Sequence, residues 1–128
     1  MSPVRQRAIG ISAAEWEVMD FLWQAAPRPV RDIVEQLARR KGWKSSTSRT
    51  LLRRLAHKGA VRIHSQQRPF LYEPCVTREQ CTRQETRSLV QRLFGARPVE
   101  ALVHLVEDTP LTPDDIQRLR EILARKEK

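Results

Sequence analysis

Between Glu35 and Glu73 the chain carries no acidic residue, yet ten bases fall there: Arg39, Arg40, Lys41, Lys44, Arg49, Arg53, Arg54, Lys58, Arg62 and Arg68. Ten like charges without counter-charges cannot be folded inward. Whatever residues 36–72 build must therefore lay these side chains on its outside and take its core from the apolar residues between them. The excess is local: residues 1–74 hold 14 bases and 6 acids and residues 75–128 hold 10 and 9, so the net +9 divides as +8 and +1. An acid-free basic surface is the footprint of a polyanion partner, whereas a merely solvated face intersperses Asp and Glu. A membrane surface would ask for a basic helix whose apolar side is free of core duty, and here the basic helices must also supply the core. No apolar run approaches the ~18 to 20 residues of a membrane span. The opening MSPVRQRAIG lacks the ~7 to 15 apolar residues of a secretory signal. A cytoplasmic protein without membrane insertion is expected.

Ser12 followed by Glu15 is an S-x-x-E capping box that opens a helix over about 12–25, in which Val18, Met19, Phe21, Leu22 and Trp23 cover most of the surface. Ala26-Pro27-Arg28-Pro29 breaks it. Val30, Ile33, Val34, Leu37 and Ala38 recur at helical spacing and define a second helix over about 30–40, ending at Lys41-Gly42. Ser45 and Ser46 offer N-cap oxygens to a third helix that stops at Gly59.

At about 100° per residue, Ser48, Leu51, Leu52 and Leu55 of the third helix gather on one side, while Ser46, Arg49, Thr50, Arg53, Arg54 and His57 spread over the other. The second side holds hydroxyls and guanidiniums but no carboxylate. Arginine can donate two parallel hydrogen bonds to guanine, and short hydroxyls allow close approach to phosphates and base edges. This helix is expected in a DNA major groove, with Lys44, Ser46, Thr47, Arg49, Thr50, Arg53, Arg54 and Lys58 as its contacts.

AVRIHS and PFLYEP are β-prone runs joined by Ser65-Gln66-Gln67-Arg68-Pro69, a hairpin in which Val61, Ile63, Phe70 and Tyr72 would form the core face. Arg62, His64 and Arg68 then fall on the open side or the tip, and Arg62 and Arg68 join the expected DNA contacts. Three helices and a basic hairpin in this order define a winged helix-turn-helix over residues 1–74. The expected fold class is mainly α.

Residues 75–128 read as three further helices, over about 78–94 after Thr77, about 98–108 after Pro98 at a first-turn position, and about 113–126 after Thr112-Pro113-Asp114-Asp115. So small a module is marginal alone. A second copy is the economical partner, because a two-fold dimer matches a two-fold DNA site. The expected dimerisation residues are Leu89, Leu93, Leu102, Leu105, Ile116, Leu119, Ile122 and Leu123.

Other signals are weaker. Cys75 and Cys81 have five residues between them, which fits no standard zinc spacing, and they read as two small, partly buried thiols. His57, His64 and His104 are scattered, so no metal site and no cofactor is expected. Trp16, Trp23 and Trp43 fall at core or junction positions rather than on a stacking platform for single strands. No Gly-rich phosphate loop, nucleophile elbow or H-E-x-x-H motif is present, and a helix N-terminus explains Asp114-Asp115, so an enzyme is not expected. Two alternatives to a DNA-binding repressor stay open: a winged-helix adaptor for an acidic protein, and a redox- or metal-responsive repressor using Cys75 and Cys81.

ISAAEWEVMDFLW in the first helix, the segment from GW through TSRTLLRRLAHKG, the strand FLYEP and the terminal LTPDDIQRLREIL together resemble the penicillinase and methicillin-resistance repressors. That resemblance implies a homodimeric repressor on an inverted-repeat operator, with Thr47, Arg49 and Thr50 facing the bases. It also implies relief of repression by proteolysis, directly or indirectly through a membrane sensor metalloprotease. The equivalent cut site falls near His104-Leu105, where the large apolar residue is kept and the family's asparagine is not. Relatives carry lysine where this chain has Ser46 and isoleucine where it has Ser48. The C-x-C pairs of copper-responsive relatives are absent from the terminal ARKEK.

Overall fold

A computed structural model describes residues 9–128; the opening stretch on which the leader expectation rests lies mostly outside them. The elements follow the order α1 (Ala13–Ala25), β1 (Arg28–Pro29), α2 (Val30–Lys41), α3 (Ser45–Lys58), β2 (Val61–His64), β3 (Leu71–Pro74), α4 (Arg78–Phe94), α5 (Pro98–Asp108) and α6 (Pro113–Lys126). This is a winged helix followed by three more helices.

Local chemistry explains most boundaries. The Ser12 hydroxyl accepts from the Glu15 N–H at 3.1 Å and the Glu15 carboxylate accepts from the Ser12 N–H at 2.9 Å, so α1 starts with both orphan donors satisfied. The same reciprocal arrangement starts α4 at Thr77 and Gln80 and α6 at Thr112 and Asp115. Gly42 and Gly59 end α2 and α3 at φ of 70° and 85°, a left-handed conformation that costs glycine little.

Three local features differ from the sequence reading. Arg28 and Pro29 do more than interrupt helices: they form an edge strand, with Arg28 opposite Tyr72 and Pro29 opposite Leu71, giving an antiparallel sheet of order β1-β3-β2. Proline is tolerated there because an edge position need not donate to a neighbour. The N-cap of α3 is Lys44, which has no side-chain cap bond; the Ser45 hydroxyl instead accepts from Arg49 Nε at 2.9 Å. In the wing, Val61 is buried but Ile63 is 38% exposed. The alternation expected from the sequence holds at Val61 and at half-buried Tyr72, which packs against the core, but fails at Ile63, the cross-strand partner of Tyr72 two residue pairs out from Val61.

The described residues divide into two compact units, one ending at Arg87 and the other running Ser88–Lys128. The first is centred on Val18, Met19 and Leu22 of α1, Ile33 and Leu37 of α2, and Leu51, Leu52 and Leu55 of α3. Its division from the second falls inside α4, beyond the wing's end at Pro74, because Cys81 is buried in the same core and the Trp23 indole N–H donates to the Val76 carbonyl at 2.9 Å. In the second unit α6 buries none of its residues, and Ile116, Leu119, Ile122 and Leu123 are all exposed.

Candidate nucleic-acid interface

The wheel drawn from the sequence is realised in α3: Ser48, Leu51, Leu52 and Leu55 are buried, while Lys44, Ser46, Thr47, Arg49, Arg53 and Arg54 are exposed and Thr50 is half-buried. Ser48 has a cost, for its hydroxyl is buried without a hydrogen-bond partner among the described residues.

Ion pairing sorts the bases into two groups. At the end of α2, Arg40 lies 3.9 Å from Asp20 and Lys41 3.9 Å from Glu17, both acids of α1, and Arg39 lies 4.0 Å from Glu35. In the wing, Glu73 accepts from His64 and lies 3.8 Å from Arg62, its cross-strand neighbour. By contrast, Lys44, Arg49, Arg53, Arg54 and Arg68 have no carboxylate within 4.0 Å among the described residues. Four of these belong to α3 or its N-cap. The fifth, near the wing tip, stacks its guanidinium 5.0 Å from the Phe70 ring centre. An open groove of about 250 Å³ runs between α3 and the wing, with Leu52, Ala56, Ile63 and Tyr72 as apolar lining and Arg49 and Arg53 beside them.

Lys58 is placed differently from the other bases of α3. Its ammonium donates to the Gly10 carbonyl at 2.8 Å and to Glu15, whose side chain is buried. The sequence held the signal, since at 100° per residue Lys58 falls within about 20° of Leu51, on the core side of the wheel. Glu15 itself was legible as a capping residue but not as a buried partner for Lys58. Burial works to raise its pKa, but the hydrogen bond and charge of Lys58, together with the bonds to Ser12, outweigh burial and hold the carboxyl below its ordinary value of 4.5.

The cysteines separate: Cys75 is exposed and Cys81 buried. Burial first, and then the negative charge of Glu85, push the Cys81 thiol above its ordinary value of 9.0, which disfavours the reactive thiolate. Among the described residues no three His, Cys, Asp or Glu side chains group to hold a metal, and no helix is long and apolar enough to cross a membrane.

A helix-turn-helix whose second helix presents an exposed face of hydroxyls and unpaired guanidiniums, flanked by a short basic wing, defines a winged-helix DNA-binding protein. The penicillinase repressor family model matches residues 11–125, and the chain belongs to that family, one of transcriptional repressors rather than enzymes. It is 32% identical over 116 residues to an uncharacterised 16.5 kDa protein of Latilactobacillus sakei, covering 91% of this chain and 80% of that one. It is 29% identical over 116 residues to the methicillin resistance regulatory protein MecI of Staphylococcus aureus, covering 91% and 94%. Among solved structures, it is similar to the Bacillus licheniformis repressor BlaI in its monomeric form with the blaP half-operator. That likeness has a TM-score of 0.52 and 31% identity, over 58% of this chain and 90% of that one.

Proposed function

We propose that this transcriptional repressor acts as a cytoplasmic homodimer, binds an inverted-repeat operator in duplex DNA and represses by occupying a promoter. The observation that carries the reading is the exposed face of α3, where Arg49, Arg53 and Arg54 have no carboxylate partner while the bases at the end of α2 do. A guanidinium without a carboxylate partner gives up no ion pair when it turns toward phosphates and guanines, whereas a paired one must first break that contact. Lys44, Ser46, Thr47, Arg49, Thr50, Arg53 and Arg54 form the contact set of α3, with Arg62 and Arg68 from the wing, and Lys58 leaves it because its ammonium is engaged by Glu15. The similarity to a BlaI chain bound as a monomer to a half-operator supports one winged helix per half-site.

Arg49→Ala is expected to lose about 1–3 kcal/mol of discrimination between operator and random duplex per half-site, because a bidentate base contact disappears. Arg68→Ala in the wing should weaken both duplexes alike, since a phosphate contact carries no sequence information. Gel-shift titrations on both duplexes measure this, and equal losses for Arg49→Ala on the two would remove the base-reading role. An adaptor for an acidic protein would show no duplex-sequence discrimination at any salt concentration.

Relief of repression is assigned to proteolysis near His104-Leu105, with a membrane sensor metalloprotease acting directly or through a second protease, and the regulated gene to the antibiotic-resistance or stress-response type. Leu105 is 61% exposed, while His104 packs edge-on against Phe94 at 5.5 Å between ring centres. The bond lies within α5, so that helix must open locally before a protease can hold it in extended form. Immunoblots of the native host during induction should show loss of the full-length chain. A chain that stays intact while its genes are expressed would exclude this route. Control through the cysteines is the weaker reading, because the buried, thiolate-disfavouring site of Cys81 suits it poorly.

A further inference from the structure

The groove between α3 and the wing lies wholly within the first unit and joins two kinds of surface. Its apolar lining runs from buried Leu52 through half-buried Ala56 and Tyr72 to Ile63, which is 38% exposed. Beside it stand Arg49 and Arg53, both exposed and both without a carboxylate within 4.0 Å among the described residues. Arg49 donates from Nε to the Ser45 hydroxyl at 2.9 Å, so its side chain is held along the helix while its terminal nitrogens are left to an outside acceptor. Residues four apart share one face of a helix, and like charges there repel. One anion beside both guanidiniums turns that repulsion into attraction. Phosphates would account for the arginines, but they offer nothing to the uncovered isoleucine and tyrosine next to them. An occupant that satisfies the whole groove carries a negative charge and an apolar body together.

We infer that this groove binds a small amphipathic carboxylate, a single ring or short alkyl chain with one carboxylate, whose charge is taken by Arg49 and Arg53 and whose body rests on Ala56, Ile63 and Tyr72. At about 250 Å³ the groove falls just below the ~300–1,000 Å³ of drug-sized sites, which limits the occupant to about one ring. A guanidinium donates two parallel, charge-assisted hydrogen bonds to a carboxylate, and the apolar walls strengthen them by displacing water. Because Arg49 and Arg53 also belong to the contact set of α3, carboxylate and operator exclude each other, and a filled groove releases DNA. That consequence rests on the reading of α3 as the DNA-contacting helix, whereas binding of the carboxylate does not. Release of this kind leaves the chain uncut and acts separately from proteolysis.

The test titrates benzoate into the full-length chain by calorimetry in the absence of DNA, with benzamide as its uncharged counterpart and acetate as the charge without the ring. Benzoate is expected to bind with a Kd of about 0.1–1 mM. Benzamide and acetate should bind at least about tenfold more weakly. Ala56→Leu, which fills the groove from α3, and Ile63→Ser, which removes its apolar wall, should each weaken benzoate about tenfold. Neither residue belongs to the DNA contact set, so affinity for a duplex selected from a random pool should stay within about twofold. At about ten times its Kd, benzoate should weaken wild-type binding to that duplex about tenfold, measured against chloride at equal ionic strength. No benzoate binding up to about 10 mM, equal binding of acetate, or undiminished benzoate binding in both variants would overturn the inference. Benzoate that fails to bind while Ile63→Ser loses duplex affinity would assign the apolar lining to DNA. Benzoate that binds in the groove and leaves the duplex in place would overturn the competition. A wild type that selects no duplex would instead overturn the DNA-binding reading and leave the carboxylate site standing.

Discussion

On the proposed dimeric reading, Leu123→Asp is expected to leave a monomer and to lower operator affinity by about 10²- to 10⁴-fold, because the second half-site is then no longer bound at high effective concentration. Leu123 is 61% exposed and α6 buries nothing within its own unit, so the substitution removes no core contact seen in the protomer. It does place a carboxylate in an apolar stripe that continues through Ile116, Leu119 and Ile122 and is matched by exposed Leu89, Leu93, Leu102 and Leu105 elsewhere in the unit. So many exposed large apolar residues in so small a unit call for a covering surface. The core of the first unit contains no residue beyond Cys81, so the winged helix should keep its fold and its half-site affinity. Sedimentation of wild type and variant, with gel shifts on one and two half-sites, measures each part. A variant that stays dimeric and binds the operator like wild type would sink the assignment of this stripe.

Lys58→Ala should destabilise the first unit by about 3 kcal/mol, since it leaves the Glu15 carboxylate buried without its cation. Only 1% of Glu15 is exposed. DNA binding by the protein that remains folded should change little, because the Lys58 ammonium already has two internal acceptors. The pair also sets an acid-side dependence. The carboxyl of Glu15 is held below its ordinary 4.5 in the folded state, so its stabilising contribution is complete above about pH 4.5 and is lost as the pH falls through the lower, folded value. Denaturant unfolding between about pH 3 and 7 should therefore fall more steeply at the acid end for wild type than for Glu15→Gln. Parallel curves for the two proteins would show that Glu15 is not the group responsible.

Both experiments turn on features that were unequally visible in the sequence. The helix starts at Ser12, Thr77 and Thr112 and the stops at Gly42 and Gly59 were legible because capping and left-handed turns are local chemistry, complete within four residues. The two faces of α3 were legible for a related reason: a fixed angle per residue turns the order of residues into a direction in space, and the acid-free composition left no ambiguity about which face is charged. Alternation in the wing was a poorer guide. It assumes both strands lying on the core along their whole length, whereas Ile63 of β2 is exposed while its partner Tyr72 on β3 still packs against the core.

What the sequence by itself determined is therefore the set of helices, the basic excess and the face of α3 that carries it, since each depends on neighbours in the chain and on charges too numerous to bury. What only the tertiary structure decided is which bases are free. Asp20 engages Arg40 and Arg78, Glu17 engages Lys41, and Glu15 engages Lys58 across 43 residues of chain. The strand formed by Arg28 and Pro29 likewise exists only because β3 returns to pair with it. Coulomb attraction and strand pairing act through distance in space, and distance in space between remote residues is fixed only when the helices have packed.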